Sequence, residues 1–106
     1  MSEIIARLEA VIRERRLGDP STSYVAKLRA AGRPRIAKKM GEEAVEAVIA
    51  AVTGDRAEMI AESADLLFHQ LMVLADMDIG FDEVLAELQR REGLSGIAEK
   101  ASRSAD

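Results

Sequence analysis

Five carboxylates stand out by their spacing. Glu42, Glu43 and Glu46 lie in K-K-M-G-E-E-A-V-E-A-V-I-A-A, residues 38–51, and Glu62 and Asp65 lie in E-S-A-D-L-L-F-H, residues 62–69. At ~100° per residue around a helix, Glu46 falls about 40° and Glu43 about 100° from Glu42, so the three share one sector. Glu62 and Asp65, three apart, share a face, and His69 joins it four residues further on. Acids on a helix usually mark a solvated face. Here Val45, Val48, Ile49 and Val52 occupy roughly 240° to 340° of the same wheel. Alanines fill most of the remainder, and Leu66, Leu67, Leu71, Met72, Val73 and Leu74 surround the second pair. Carboxylates crowded into poorly solvated surroundings repel one another and call for neutralisation. An all-oxygen donor set, with no thiolate and one imidazole at most, suits Mg²⁺ or Mn²⁺ far better than Zn²⁺. Such an ion leaves positions open for the oxygens of a phosphate substrate.

The elements that must position these acids can be read from apolar spacing and breakers. Ile4, Ile5, Leu8, Val11 and Ile12 form one stripe of a helix from about Glu3 to Arg16, broken by Gly18, Asp19 and Pro20. A short helix follows over Ser23 to Ala31, ended by Gly32. Pro34 suits the first turn of the next, which reaches about Val52, and Gly54 suits a left-handed cap. Asp55 with Glu58 reads as an N-cap and its third-position partner, opening a helix to about Met77. Gly80 punctuates, and Phe81 to Arg91 forms a further helix. Strand alternation is absent. The expected fold is all α, a bundle of about five helices built on a central antiparallel hairpin. One domain spans 1–97, and 98–106 is expected to be a frayed tail.

The hairpin matters for the acids. Helices joined by so short a turn run antiparallel. Glu46 lies eight residues before Gly54 and Glu62 eight after it; Glu43 lies eleven before and Asp65 eleven after. Each pair therefore stands at one height, the first ~12 Å from the turn at ~1.5 Å per residue. E-x-x-E and E-x-x-D can converge across the interface. Because the helix at 34–52 is apolar around more than half its girth, it is expected to be buried. Two short flanking helices give such a hairpin little cover, so a homodimer is expected, with a cleft drawn from both subunits.

Composition narrows the function classes. The chain has 106 residues, 48% hydrophobic and 32% charged, which suits one soluble domain with one core. The formal net charge of −4 argues against non-specific nucleic-acid binding, which needs a basic patch. No cysteine is present, which excludes disulfides and thiolate metal sites. No signal-peptide pattern or apolar run long enough to span a membrane is visible, and a cytoplasmic location is expected.

These acids, with D-P-S-T-S-Y-V-A-K-L (19–28), R-I-A-K-K-M-G-E-E (35–43) and D-E-V-L-A-E-L (82–88), make a familiar set. The chain resembles the all-α nucleoside triphosphate pyrophosphohydrolases related to MazG, whose signature is E-E-x-x-E followed by E-x-x-D. Among them it resembles the phosphoribosyl-ATP pyrophosphohydrolase family, over about Leu8 to Arg91. The resemblance implies Mg²⁺-dependent hydrolysis of 1-(5-phosphoribosyl)-ATP to phosphoribosyl-AMP and pyrophosphate, in histidine biosynthesis. It implies Glu43, Glu46, Glu62 and Asp65 as metal ligands, with Glu42 at the first glutamate of the signature.

Catalysis then needs a proton acceptor for water, either Glu43 or Glu46. Cations should flank the metal: Arg35, Lys38 and Lys39 stand one or two turns before Glu42 on much the same side, and Lys27 lies further upstream. Each can hold phosphate oxygens or serve only in salt bridges. Tyr24, the one tyrosine, can stack on a base or pack, and His69, the one histidine, reads more readily as a satisfied structural residue. Two rivals remain. One is a related hydrolase of non-canonical nucleotides, against which the Tyr24 to Leu28 segment argues; the other is a non-catalytic dimerisation module.

Overall fold

A computed structural model describes residues 3–92, and the expected tail at 98–106 lies outside them. Within these residues the chain forms five helices and no strand: α1 (Glu3–Arg15), α2 (Tyr24–Ala31), α3 (Arg33–Thr53), α4 (Arg56–Asp76) and α5 (Phe81–Arg91). The most extensive packing joins α3 to α4, the hairpin expected from the two acid motifs. Its turn is built as the sequence requires. Gly54 adopts a left-handed φ of 75°, and its N–H reaches the carbonyls of Ala50 and Ala51. The Asp55 carboxylate then accepts from the Glu58 N–H at 3.1 Å, satisfying an orphan donor of the first turn of α4. Ser23, read as the first residue of the short helix, is its cap instead; its hydroxyl accepts from the Ala26 N–H at 3.2 Å.

The core gathers at the open end of the hairpin, away from the turn. Ile12 of α1, Val25 and Leu28 of α2, Ile36 of α3, and Leu71, Met72 and Ala75 of α4 form one buried cluster. Phe81, at the start of α5, packs against it. The end of α4 and the segment just after it are held there by three arginines. Arg16 donates to the Ala75 carbonyl at 2.7 Å, Arg33 to that of Asp76 at 3.1 Å, and Arg13 to that of Ile79 at 3.0 Å. Cations at the negative end of a helix satisfy its last carbonyls and favour its dipole. Arg33 also pairs with the Asp76 carboxylate at 2.7 Å.

Two expectations fail within the single chain. The stripe of α1 is narrower than read: Ile12 is buried and Ile5 and Leu8 pack on the core, but Ile4 and Val11 are exposed. More consequentially, α3 is not buried around its apolar girth. Val45, Val48, Ile49 and Val52 are 59%, 61%, 56% and 82% exposed. The reason is topological. The core involving α1 and α2 sits at the far end of the hairpin, so α4 is the main cover over the turn end of α3. Met59 and Ile60, in the turn-end half of α4, are exposed as well. No helix among the described residues is long and apolar enough to cross a membrane.

Candidate metal centre

The acid motifs meet between the buried end and the bare end of the hairpin. Glu43, Glu62 and Asp65 each offer a carboxylate oxygen, and the three oxygens lie within 4.8 Å of one another. Glu43 is buried, Glu62 half-buried and Asp65 exposed, so the cluster opens to solvent on the Asp65 side. Oε2 of Glu43 and Oε2 of Glu62 are both enclosed and lack a hydrogen-bond partner. An enclosed carboxylate oxygen without a donor is costly, and two ionised carboxylates have no proton to share. Such a site either retains a proton or takes up a cation. The first outcome is visible in the electrostatics: the Glu62 carboxyl is pushed up from 4.5 to about 7. Its hydrogen bond to Glu46 is the largest cause, followed by burial and by the bond to and charge of Glu43. The second outcome needs a hard divalent ion, which the oxygen-only set fits.

The remaining candidates are distributed around this centre. Glu46 is exposed and stands against Glu62, outside the three converging acids. With Glu62 it lines a cleft of about 290 Å³ toward the turn, where Asp55 and Glu58 add further acids that spacing did not single out. Glu42 is exposed and turned to Lys39, whose ammonium lies 3.3 Å from its carboxylate and 4.0 Å from that of Glu43. By i,i+4 spacing alone Lys39 pairs with Glu43 and Lys38 with Glu42. In the structure Lys39 faces both glutamates, and its pKa is raised chiefly by Glu42. Arg35 and Lys38 are exposed along the same helix. Lys27 lies on another wall, lining a cleft of about 600 Å³ with Pro20, Ser21, Thr22, Ser23 and Tyr24.

Tyr24 links that wall to the acids. Burial pushes its phenol pKa up and Lys39 pulls it down, with smaller opposing effects of Glu43 and Asp65 upward and Arg35 downward. Its hydroxyl lies 2.8 Å from Nε2 of His69, and Nδ1 of His69 lies 2.7 Å from the main-chain carbonyl of Asp65. His69 is 6% exposed, so the lone histidine is satisfied structurally, as its helical position implied. Phe68 stacks on Tyr24 with ring centroids 6.4 Å apart. The Asp65–His69 spacing was visible in the sequence; the link to Tyr24, 45 residues away, needed the tertiary fold.

An antiparallel helical hairpin that converges Glu43, Glu62 and Asp65, with enclosed, unpartnered oxygens on Glu43 and Glu62, defines the class: an all-α protein with a carboxylate centre able to bind a metal ion. The phosphoribosyl-ATP pyrophosphohydrolase family profile matches residues 5–92, and the chain belongs to that family. It is 67% identical over 102 residues to the phosphoribosyl-ATP pyrophosphatase of Novosphingobium aromaticivorans, covering 96% of this chain and 95% of that one. The phosphoribosyl-ATP pyrophosphatase of Rhizorhabdus wittichii is 58% identical, with 97% of each chain covered. That of Dinoroseobacter shibae is also 58% identical, covering 94% of this chain and 98% of the relative.

Proposed function

We propose that this chain hydrolyses 1-(5-phosphoribosyl)-ATP to 1-(5-phosphoribosyl)-AMP and pyrophosphate, the second step of histidine biosynthesis, as a Mg²⁺-dependent cytoplasmic homodimer. The observation that carries this is the pair of enclosed, unpartnered oxygens of Glu43 and Glu62, in a chain that the family matches over 5–92. Glu43, Glu62 and Asp65 would hold Mg²⁺, or Mn²⁺ in its place, with Glu46 beside them. Bound there, the ion supplies neutralisation of the triphosphate oxygens and a more acidic water.

The chain's own residues do the rest. Glu46, solvent-exposed beside Glu62, would accept the proton of the attacking water on its carboxylate. Lys39, already drawn to Glu42 and Glu43, stands at the rim where phosphate oxygens arrive, and Arg35 and Lys38 extend that positive edge. Glu42 orients Lys39. Lys27 holds a more distant phosphate on the Tyr24 side. Cleavage between the α- and β-phosphates leaves pyrophosphate, whose charge these cations offset.

The homodimer reading rests on the exposed apolar residues Val45, Val48, Ile49 and Val52 of α3, together with Met59 and Ile60 exposed on α4, all toward the turn end. Packing hairpin on hairpin removes these residues from water and brings a second chain beside the acid centre. Side-by-side turnover of phosphoribosyl-ATP, ATP and dATP tests the substrate. Preference for phosphoribosyl-ATP supports the assignment. Equal or better turnover of the simple triphosphates would move it to nucleotide house-cleaning.

A further inference from the structure

The buried His69 and the half-exposed Tyr24 form a contact that the metal chemistry does not require. The Asp65 main-chain carbonyl can only accept a hydrogen bond, so Nδ1 of the neutral imidazole, 2.7 Å away, carries the proton. Nε2 is then an acceptor, and the Tyr24 hydroxyl, 2.8 Å away, donates to it. The imidazole stands nearly perpendicular to both neighbouring rings, with centroids 5.8 Å from Tyr24 and 5.4 Å from Phe68. One side chain thus joins the start of α2 to the main chain of an acid in the metal centre. Tyr24, Thr22 and Ser23 are common to two clefts, of about 510 and 600 Å³. Arg15 borders the first and Lys27 the second. Asp19, the one carboxylate among the described residues lining either cleft, is turned back on the N–H and hydroxyl of Ser21, both at 2.8 Å. Arg15 and Lys27 therefore bring cationic side chains to this space, and Glu43, Glu62 and Asp65 line neither cleft.

We infer that Tyr24 and His69 act as a positioning pair: the buried imidazole fixes the Tyr24 ring as the wall between the acid centre and the clefts, which receive the phosphorylated pentose end of the substrate. This rests on the substrate proposed above. Tyr24 does not touch the reacting phosphates. It sets the distance between the two ends of a long substrate, so its loss should weaken binding more than turnover.

His69 is the only histidine in the chain, so its ring nitrogens can be observed without ambiguity by nitrogen NMR. The expected spectrum of the full chain shows the proton on Nδ1 and an acceptor Nε2, with the Nε2 resonance moving in Tyr24→Phe. In the same variant KM for phosphoribosyl-ATP should rise about tenfold, the order expected for one lost part-buried hydrogen bond, with kcat within about twofold. A proton on Nε2, or a Tyr24→Phe variant with unchanged KM, overturns the pair. Absence of turnover by the unaltered chain counts against the proposed reaction and, with it, the positioning role, while the nitrogen spectrum separately decides the hydrogen-bonded contact.

Discussion

Glu62→Gln separates the proton from the cation at the acid centre. The Glu62 carboxyl is raised from 4.5 to about 7, chiefly through Glu46, and the raised value lies above that of the unfolded chain. Between those values the folded chain holds a proton that the unfolded chain has lost. The resulting stabilisation is fully present below about pH 4.5 and is lost as pH rises through about 7. A divalent ion must displace that proton. With a pKa near 7, the carboxyl is about 0.9 protonated at pH 6, about 0.5 at pH 7 and about 0.1 at pH 8. Mg²⁺ or Mn²⁺ binding should release those same fractions of a proton, and apparent affinity should rise roughly fivefold from pH 6 to 7 and about twofold from 7 to 8. Titration calorimetry in buffers of differing ionisation enthalpy measures the release directly. Glu62→Gln keeps the shape, removes one charge and supplies an amide donor to Glu46. It should abolish this proton release, weaken metal binding and make the metal-free fold less sensitive to pH between 5 and 7. Proton release that does not change with pH, or that persists in the variant, would refute the reasoning.

Two further substitutions probe the packing. Ile36→Ala, at a residue only 1% exposed in the core cluster, should destabilise the fold by about 2–5 kcal/mol, read by urea unfolding. Val48→Glu, on the bare face of α3, should leave helical content unchanged in circular dichroism while converting a dimer to monomer in light scattering. A dimer that survives with unchanged affinity would place the interface elsewhere.

Local chemistry explains why the helices were legible. Pro34, Gly54 and Asp55 act within a turn or two of chain, and the observed ends of α3 and α4 fall within a residue or two of those read from them. The matched heights of Glu43 with Asp65 and Glu46 with Glu62 follow from the same turn. Of these four, the structure converges Glu43, Glu62 and Asp65 and sets Glu46 beside them. What periodicity did not distinguish was which apolar face a neighbour covers. Ile36 and Val48 are alike in type but stand about 120° apart around α3: Ile36 meets the core that α1 and α2 build at one end of the hairpin and is 1% exposed, while Val48 is 61% exposed. Lys39 against Lys38 was likewise a matter of side-chain direction, and Tyr24 with His69 a contact between distant segments.

The most direct test follows pyrophosphate release from phosphoribosyl-ATP by the purified chain, with Mg²⁺ and with EDTA, alongside Glu43→Gln. The account predicts rapid release with Mg²⁺, none with EDTA, and a loss of at least about 100-fold in a variant that keeps its helical fold. Release that continues in EDTA, or that Glu43→Gln leaves intact, would contradict it.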